Sequence, residues 1–167
     1  MNQESYTCCF TGHRRIPYPH RALLPKLIDG MLDTLISRQV TIFRTGGAMG
    51  FDTMVALKIL EKREQYPHIR LELILPCRDQ ASRWDAYNQK AYAYVLARAD
   101  SVICLHDRYT SGCMLERNRR MVQGSQFCIG YCNTPGGGSA YTLEYAKSHG
   151  LRVINIAAML PPLPDGK

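Results

Sequence analysis

The sequence predicts an α/β protein, a Rossmann-like three-layer sandwich with a mainly parallel sheet and helices on both faces. Two observations carry that expectation. Short apolar runs alternate with longer segments of helical apolar spacing along the whole chain, which is the pattern of successive strand-helix units. Two of the strand-to-helix joints hold glycine clusters, Gly46-Gly47-Ala48-Met49-Gly50 and Pro135-Gly136-Gly137-Gly138, placed where an open parallel sheet binds its ligands.

Composition sets the frame for these elements. The chain has 167 residues, 46% hydrophobic and 21% charged, enough to bury one core and too apolar for a disordered chain. No internal repeat or linker divides it, so residues 1–158 are expected to form a single domain. Residues 159–167, with Pro161, Pro162 and Pro164, are expected to form an extended, mobile tail. No apolar run approaches the roughly 18 residues of a membrane span, and Met1 to Thr7 lacks the apolar centre of a signal peptide. The expected setting is the cytoplasm, with no membrane partner.

The first strand is expected over Tyr6 to Phe10. It ends at Thr11-Gly12-His13-Arg14-Arg15, and Pro17 and Pro19 then argue for a loop at the strand's carboxyl end. There Arg14 can present a fork of donors to a phosphate, or the stretch is a solvent turn. From Arg21 to Arg38, Leu23, Leu24, Leu27, Ile28, Met31, Leu32, Leu35 and Ile36 recur at helical spacing around Gly30. That helix is assigned to the core, with a homodimer face as the other use.

Val40 to Arg44 predicts the second strand, followed by the first glycine cluster and a helix through Leu60. Asp52 falls in the first turn of that helix, where an aspartate either caps the helix or accepts from a ribose hydroxyl or a base amine. Pro67-His68 ends the helix, and Arg70 to Leu75 predicts the third strand. A helix over Ala81 to Ala99 carries Trp84, Tyr87 and Tyr92, read as packing rather than as a stacking platform. Ser101 to Leu105 predicts the fourth strand, with a polar loop from His106 to Cys113. The helix Met114 to Val122 offers Met114, Leu115, Met121 and Val122 to the core and leaves Glu116, Arg117 and Asn118 above the strand ends.

The fifth strand, Phe127 to Tyr131, leads through Cys132-Asn133-Thr134 into the second glycine cluster and a helix with Ala140, Leu143 and Ala146 on one side. Three consecutive glycines let a ligand approach the backbone closely. The unpaired first-turn N–H groups of the helix that follows, together with its dipole, favour an anion. Ser139 and Thr142 are candidate hydroxyl donors there, and Ser139 is equally a candidate helix cap. Leu151 to Ile156 closes the chain as the last strand.

Charge and cysteine content limit the chemistry. A net charge of +7 favours anionic partners: nucleotides, nucleic acid or acidic protein surfaces. The seven cysteines form no Cys-x-x-Cys pair, and no histidine stands at zinc-like spacing to them, so no metal site is expected.

With these residues in view, the chain resembles the YpsA-like branch of the SLOG superfamily, whose wider membership includes DprA proteins and LOG-type phosphoribohydrolases. Thr11-Gly12-His13-Arg14, Gly46 to Asp52, Pro76-Cys77, Met114 to Met121 and Pro135 to Gly138 occur in that family's order. The resemblance implies that Gly12, Arg14, Gly46, Gly47, Gly50, Asp52, Arg117, Asn118, Gly136, Gly137, Gly138, Ser139 and Thr142 bind a nucleotide or nucleotide-derived ligand, such as ADP-ribose or NAD, in a sensor or regulatory module. An alternative is a nucleotide hydrolase of the phosphoribohydrolase type, and a second alternative is single-stranded DNA binding.

Departures from the LOG pattern bear on catalysis. LOG-type enzymes are similar in Met-x-x-Arg-Lys and Pro-Gly-Gly-x-Gly-Thr-x-x-Glu, but here Asn118 follows Arg117, and Leu143 stands at the glutamate position. Glu144 is one residue further on, turned by about 100° on a helix. The DNA alternative lacks an interleaved run of basic and aromatic residues.

Overall fold

The computed structural model describes residues 4–164. Six parallel strands form one sheet in the order β4-β3-β2-β1-β5-β6: β1 Tyr6–Gly12, β2 Val40–Thr45, β3 Arg70–Leu75, β4 Ser101–Cys104, β5 Phe127–Tyr131 and β6 Arg152–Asn155. Cys8 pairs with Phe43 on one side of β1, and Cys9 with Cys128 on the other. The chain therefore winds outward from β1 through β2, β3 and β4, then crosses back to build β5 and β6. A sheet of this kind opens a crevice at the carboxyl end of its central strand, where the winding reverses.

The alternating faces of β1 divide the core. Cys8 and Phe10 join a large cluster with Leu24, Ile28 and Leu32 of α1 (Tyr18–Ser37), Val55 and Ile59 of α2 (Phe51–Gln65) and Val95 of α3 (Ala86–Arg98). Cys9 faces the opposite way, into a smaller cluster with Met121 and Val122 of α4 (Cys113–Val122) and Leu143 and Ala146 of α5 (Gly138–Ser148). Three helices on one face and two on the other complete the expected sandwich.

Several element boundaries differ from expectation for local reasons. Pro17 and Pro19 do not delay α1 to Arg21: Pro17 takes the cap position and Pro19 lies in the first turn, where a missing N–H costs no hydrogen bond. The helix expected from Ala81 starts at Ala86, because the Asp85 carboxylate accepts the Asn88 N–H at 3.0 Å and caps it there. Leu115, expected in the core, is 38% exposed. After β6 the chain makes a short 3-10 turn, Ile156–Met159.

The tail also departs from expectation. His20 Nε2 donates to the Pro161 carbonyl at 2.6 Å and His20 Nδ1 accepts from the Tyr131 hydroxyl at 2.7 Å; a carbonyl can only accept, so Nε2 carries the proton. Pro161 is thus tied to α1 and β5 rather than free, and residues 165–167 of the expected tail lie outside the described residues. Among the described residues no helix is long and apolar enough to cross a membrane.

Candidate functional site

A cavity of about 290 Å³ opens at the carboxyl end of β1, bounded by the start of α2, by α4 and by the start of α5. From β1 come Gly12, His13 and Arg14, from α2 Asp52, from α4 Arg117 and Asn118, and from α5 Gly138 and Ser139. The tertiary fold brings together residues drawn from four separate stretches of the chain.

Arg117 is the central cation. It is only 6% exposed, with Nη1 donating to the Gly46 carbonyl at 2.6 Å and Nε to Asn118 Oδ1 at 2.8 Å. Burial lowers its pKa, and Asp52 opposes that shift. The helix that carries it is braced from β2: Arg44 Nη1 donates to the Gln123 carbonyl at 2.6 Å, at the end of α4, while Arg44 Nε pairs with Glu72 at 2.6 Å. Glu116 turns away from the cavity to His106, at 2.7 Å.

Asp52 is 4% exposed and does not act as the helix cap, a position held by Gly50. Its Oδ2 accepts the N–H groups of Gly46 at 3.1 Å and Ala48 at 3.3 Å. Oδ1 has no partner among the described residues and is left for the cavity. Burial raises the carboxyl pKa to about 6, against the pull of Arg117 and of these two N–H groups.

The two glycine clusters do different work. The first lies under the cavity: Gly46 makes room for the Arg117 guanidinium, and Gly50, at φ +75°, packs on the carbonyls of His13 and Arg14. Its amides at 46 and 48 are spent on Asp52, and the Phe51 N–H is spent on the His13 carbonyl at 3.1 Å. These bonds hold the Asp52 carboxylate in place at the floor of the cavity, which Ala48 also lines. Gly47 packs against Leu75 and Gln80, away from the cavity.

The second cluster is open. Around Gly136 and Gly137 nothing lies within 4 Å of where a side chain would start, and Gly137 takes φ +95°. The first intrahelical bond of α5 is Tyr141 N–H to the Gly137 carbonyl at 3.0 Å, so the Gly138, Ser139 and Ala140 amides have no partner among the described residues. Gly137 occupies the cap position with no side-chain capping bond, so Ser139 is not the cap. Thr142 does not serve as a donor to the cavity: it is fully buried and its hydroxyl donates to the Gly138 carbonyl at 2.8 Å.

Glu144 lines a separate hollow on the other side of α5, with Lys147 and Cys132. Leu143, at the position LOG-type enzymes give to glutamate, packs against Gly130 in the core. The only carboxylate at the cavity, among the described residues, is that of Asp52. No three His, Cys, Asp or Glu side chains among the described residues come together as a metal cluster.

A known family matches most of the chain. A model described as the YspA SLOG family, under the name YpsA, covers residues 9–156. The chain belongs to this YpsA family. Among its relatives, the UPF0398 protein BH1768 of Halalkalibacterium halodurans is 29% identical over 139 residues, covering 81% of this chain and 71% of that protein. A UPF0398 protein of Bacillus pumilus is 33% identical over 75 residues, covering 44% and 40%.

Among solved structures, DNA processing protein A from Helicobacter pylori, described for its single-stranded DNA binding mode, superposes with a TM-score of 0.65 at 18% identity, over 89% of this chain and 63% of that one. DNA processing protein A (DprA) of Streptococcus pneumoniae gives 0.62 at 16% identity, over 89% and 49%. Identity this low shows a shared fold. The chain spans less than two thirds of either DNA processing protein.

Two polar residues at or beneath the cavity are not among those expected from the sequence. His13 lies in the cavity wall, and its place in Thr11-Gly12-His13-Arg14 at a strand end was the available signal. Gln80 is buried, with its amide nitrogen 3.3 Å from the Gly46 carbonyl and its oxygen 3.5 Å from Arg117 Nη1. Nothing in the local sequence marks it.

Proposed function

We propose that the cavity binds a phosphorylated, nucleotide-class ligand, in a sensor or regulatory module. The observation that carries this reading is the convergence of two unpartnered amides at the start of α5, those of Gly138 and Ser139, with the buried Arg117 guanidinium on one cavity. A helix start and a planar cation each favour an oxyanion, and together they define a phosphate position. Asp52 Oδ1 then accepts from a sugar hydroxyl. The volume, about 290 Å³, sits at the small end of ligand pockets and suits a phosphoribosyl group, with any further part of an ADP-ribose or NAD-like molecule lying outside. In this reading residues 1–158 act as one cytoplasmic unit, alone or as a homodimer.

Thermal-shift screening with ribose 5-phosphate, AMP, ADP-ribose and NAD tests the proposal, since a ligand at a hundred times its Kd stabilises the folded state by about 2.7 kcal/mol. Stabilisation by phosphorylated compounds, lost in Arg117→Ala, is expected. No response to any of them at millimolar concentration would overturn it.

A second reading, hydrolysis of a nucleotide's N-glycosidic bond, is favoured by one observation: a carboxyl with a pKa of about 6 faces the same cavity as Arg117. Such a group is suited to proton transfer near neutral pH. Release of free base from nucleoside monophosphates, abolished in Asp52→Asn, would establish turnover. Single-stranded DNA binding, drawn from the likeness to the DNA processing proteins and the charge of +7, would instead give an affinity that falls steeply with salt.

A further inference from the structure

The β1 loop places in the cavity wall an imidazole whose acceptor nitrogen is already engaged. His13 Nε2 accepts the main-chain N–H of Asn133 at 3.1 Å, and the ring stands edge-on to Tyr131 with centroids 5.7 Å apart. Asn133 lies between β5 and the open glycine cluster, so this bond ties the β1 loop to the segment that delivers the α5 amides to the cavity. A neutral imidazole has one N–H and one lone pair. With Nε2 accepting, the proton sits on Nδ1. A second proton can go only to Nε2, and the Asn133 N–H then faces another donor. The contact has two arrangements that exclude each other.

The charges around the ring decide between them. Burial holds His13 below the ordinary imidazole range, while the Asn133 side chain beside it favours the charged form. Arg14 in the same loop and Arg117 from α4 line the cavity with it and oppose a further cation; Asp52 from α2 partly offsets them. Tyr131 from β5 is kept neutral, its pKa raised by burial. Burial, the larger of the two influences on the ring, leaves the imidazole neutral. An anion between the α5 amides and Arg117 reverses the sign of that local field and favours the imidazolium.

We propose that His13 takes up a proton from solvent when an anion enters the cavity, and that protonation releases the Asn133 amide and shifts the loop leading to Gly136–Gly138. The inference rests on the anion site proposed above and gives it a switch: occupancy at the start of α5 is read out as movement of the loop between β5 and α5. By linkage, a rise of one unit in the His13 pKa on binding equals tenfold tighter binding to the protonated form.

Asp52 complicates any bulk measurement, because its protonation also favours an anion, so the test must resolve single residues. Sulfate is the probe: it has the shape of phosphate and does not titrate in the range of about pH 5 to 8 where histidine does. Nitrogen-detected imidazole spectra of the whole protein, with backbone amide spectra, are recorded across that range with and without sulfate; the His13 signal is assigned with His13→Gln. Sulfate is expected to raise the His13 midpoint by about one unit, with the Asn133 amide shifting in step and exchanging faster, and the same rise is expected in Asp52→Asn.

If the Gly138 and Ser139 amides respond to sulfate while the His13 midpoint stays in place, the anion site stands and the His13 switch is overturned. A His13 rise that vanishes in Asp52→Asn overturns it too, since the proton would then belong to Asp52. Silence at Gly138, Ser139 and His13 alike would remove the anion site and the switch together.

Discussion

Arg117 occupies the space that a side chain at Gly46 would need: a Cβ there would run into the guanidinium, which instead donates to the Gly46 carbonyl at 2.6 Å. The glycine at 46 and the arginine at 117 are thus one feature. The first glycine cluster is shaped by what must be stored beneath the cavity, and the arginine reaches the cavity because that cluster leaves room.

Gly46→Ala should displace Arg117 without unfolding the protein. The colliding atoms are the far end of a flexible side chain, so the main loss is a charged hydrogen bond, about 1.5–3 kcal/mol. Binding of a phosphorylated ligand should fall at least as far as in Arg117→Ala. Denaturant unfolding beside ligand titration checks both.

Gly50→Ala should be far more damaging, although it adds the same methyl group. Gly50 has φ +75°, and its Cβ would meet the carbonyls of Arg14 and His13, which are backbone and cannot turn aside. Strain of about 1–3 kcal/mol from the dihedral adds to an overpacking cost of about 1–3 kcal/mol. The expected readout is low soluble yield or a midpoint of thermal unfolding well below that of Gly46→Ala.

Gly137→Ala separates binding from stability. The position has open space but φ +95° and ψ −177°, a region populated essentially by glycine that costs another residue about 1–3 kcal/mol, so melting should drop by several degrees. Affinity should fall sharply, because the cost is relieved by turning the α5 amides out of line. Gly136→Ala, with ordinary φ and equal space, should leave folding unchanged and weaken binding less.

The Asp52 carboxyl makes stability depend on pH. Its folded-state pKa of about 6 lies above the ordinary aspartate value of 3.8, so the folded protein holds this proton more tightly than the unfolded chain does. Stability from this group is therefore greatest below about pH 4 and is lost as pH rises toward 6, by an amount on the order of 3 kcal/mol. Denaturation at pH 4 and pH 7 should show that this loss is absent in Asp52→Asn, whose Oδ1 can still accept from the Gly46 and Ala48 amides.

Arg44→Met should loosen α4 at its far end. Arg44 braces the last carbonyls of that helix and neutralises Glu72, so its loss leaves a half-buried carboxylate unpaired, costing about 3 kcal/mol. Faster amide exchange is expected at Met121 to Gln123, with weaker ligand binding through Arg117 on the same helix.

What could be read from the chain alone follows from periodicity and local stereochemistry. Phe127–Tyr131 and Arg70–Leu75 were legible as strands because each is a short apolar run bounded by breakers, and α1 because Leu24, Ile28, Leu32 and Leu35 repeat at the pitch of a helix. The alternation of such units determined a parallel, doubly covered sheet, and with it the edge at which a ligand site would lie. Glycine clusters at two strand ends marked that edge, since glycine is cheap where backbone must turn sharply or be approached closely.

The division of labour at that edge was decided only by tertiary structure. Two clusters that look alike in sequence differ because Asp52 folds back on one of them and takes up two of its amides, while no side chain takes up the amides at the start of α5. Whether Arg117 would be a solvated charge or a buried cation depended on Gly46, 71 residues away in the chain. His13 and Asn133 meet across 120 residues. Sequence spacing determines secondary structure because helices and strands are built from near neighbours; burial, pKa and the partner of each polar atom depend on residues far apart, and those neighbours exist only once the sheet has formed.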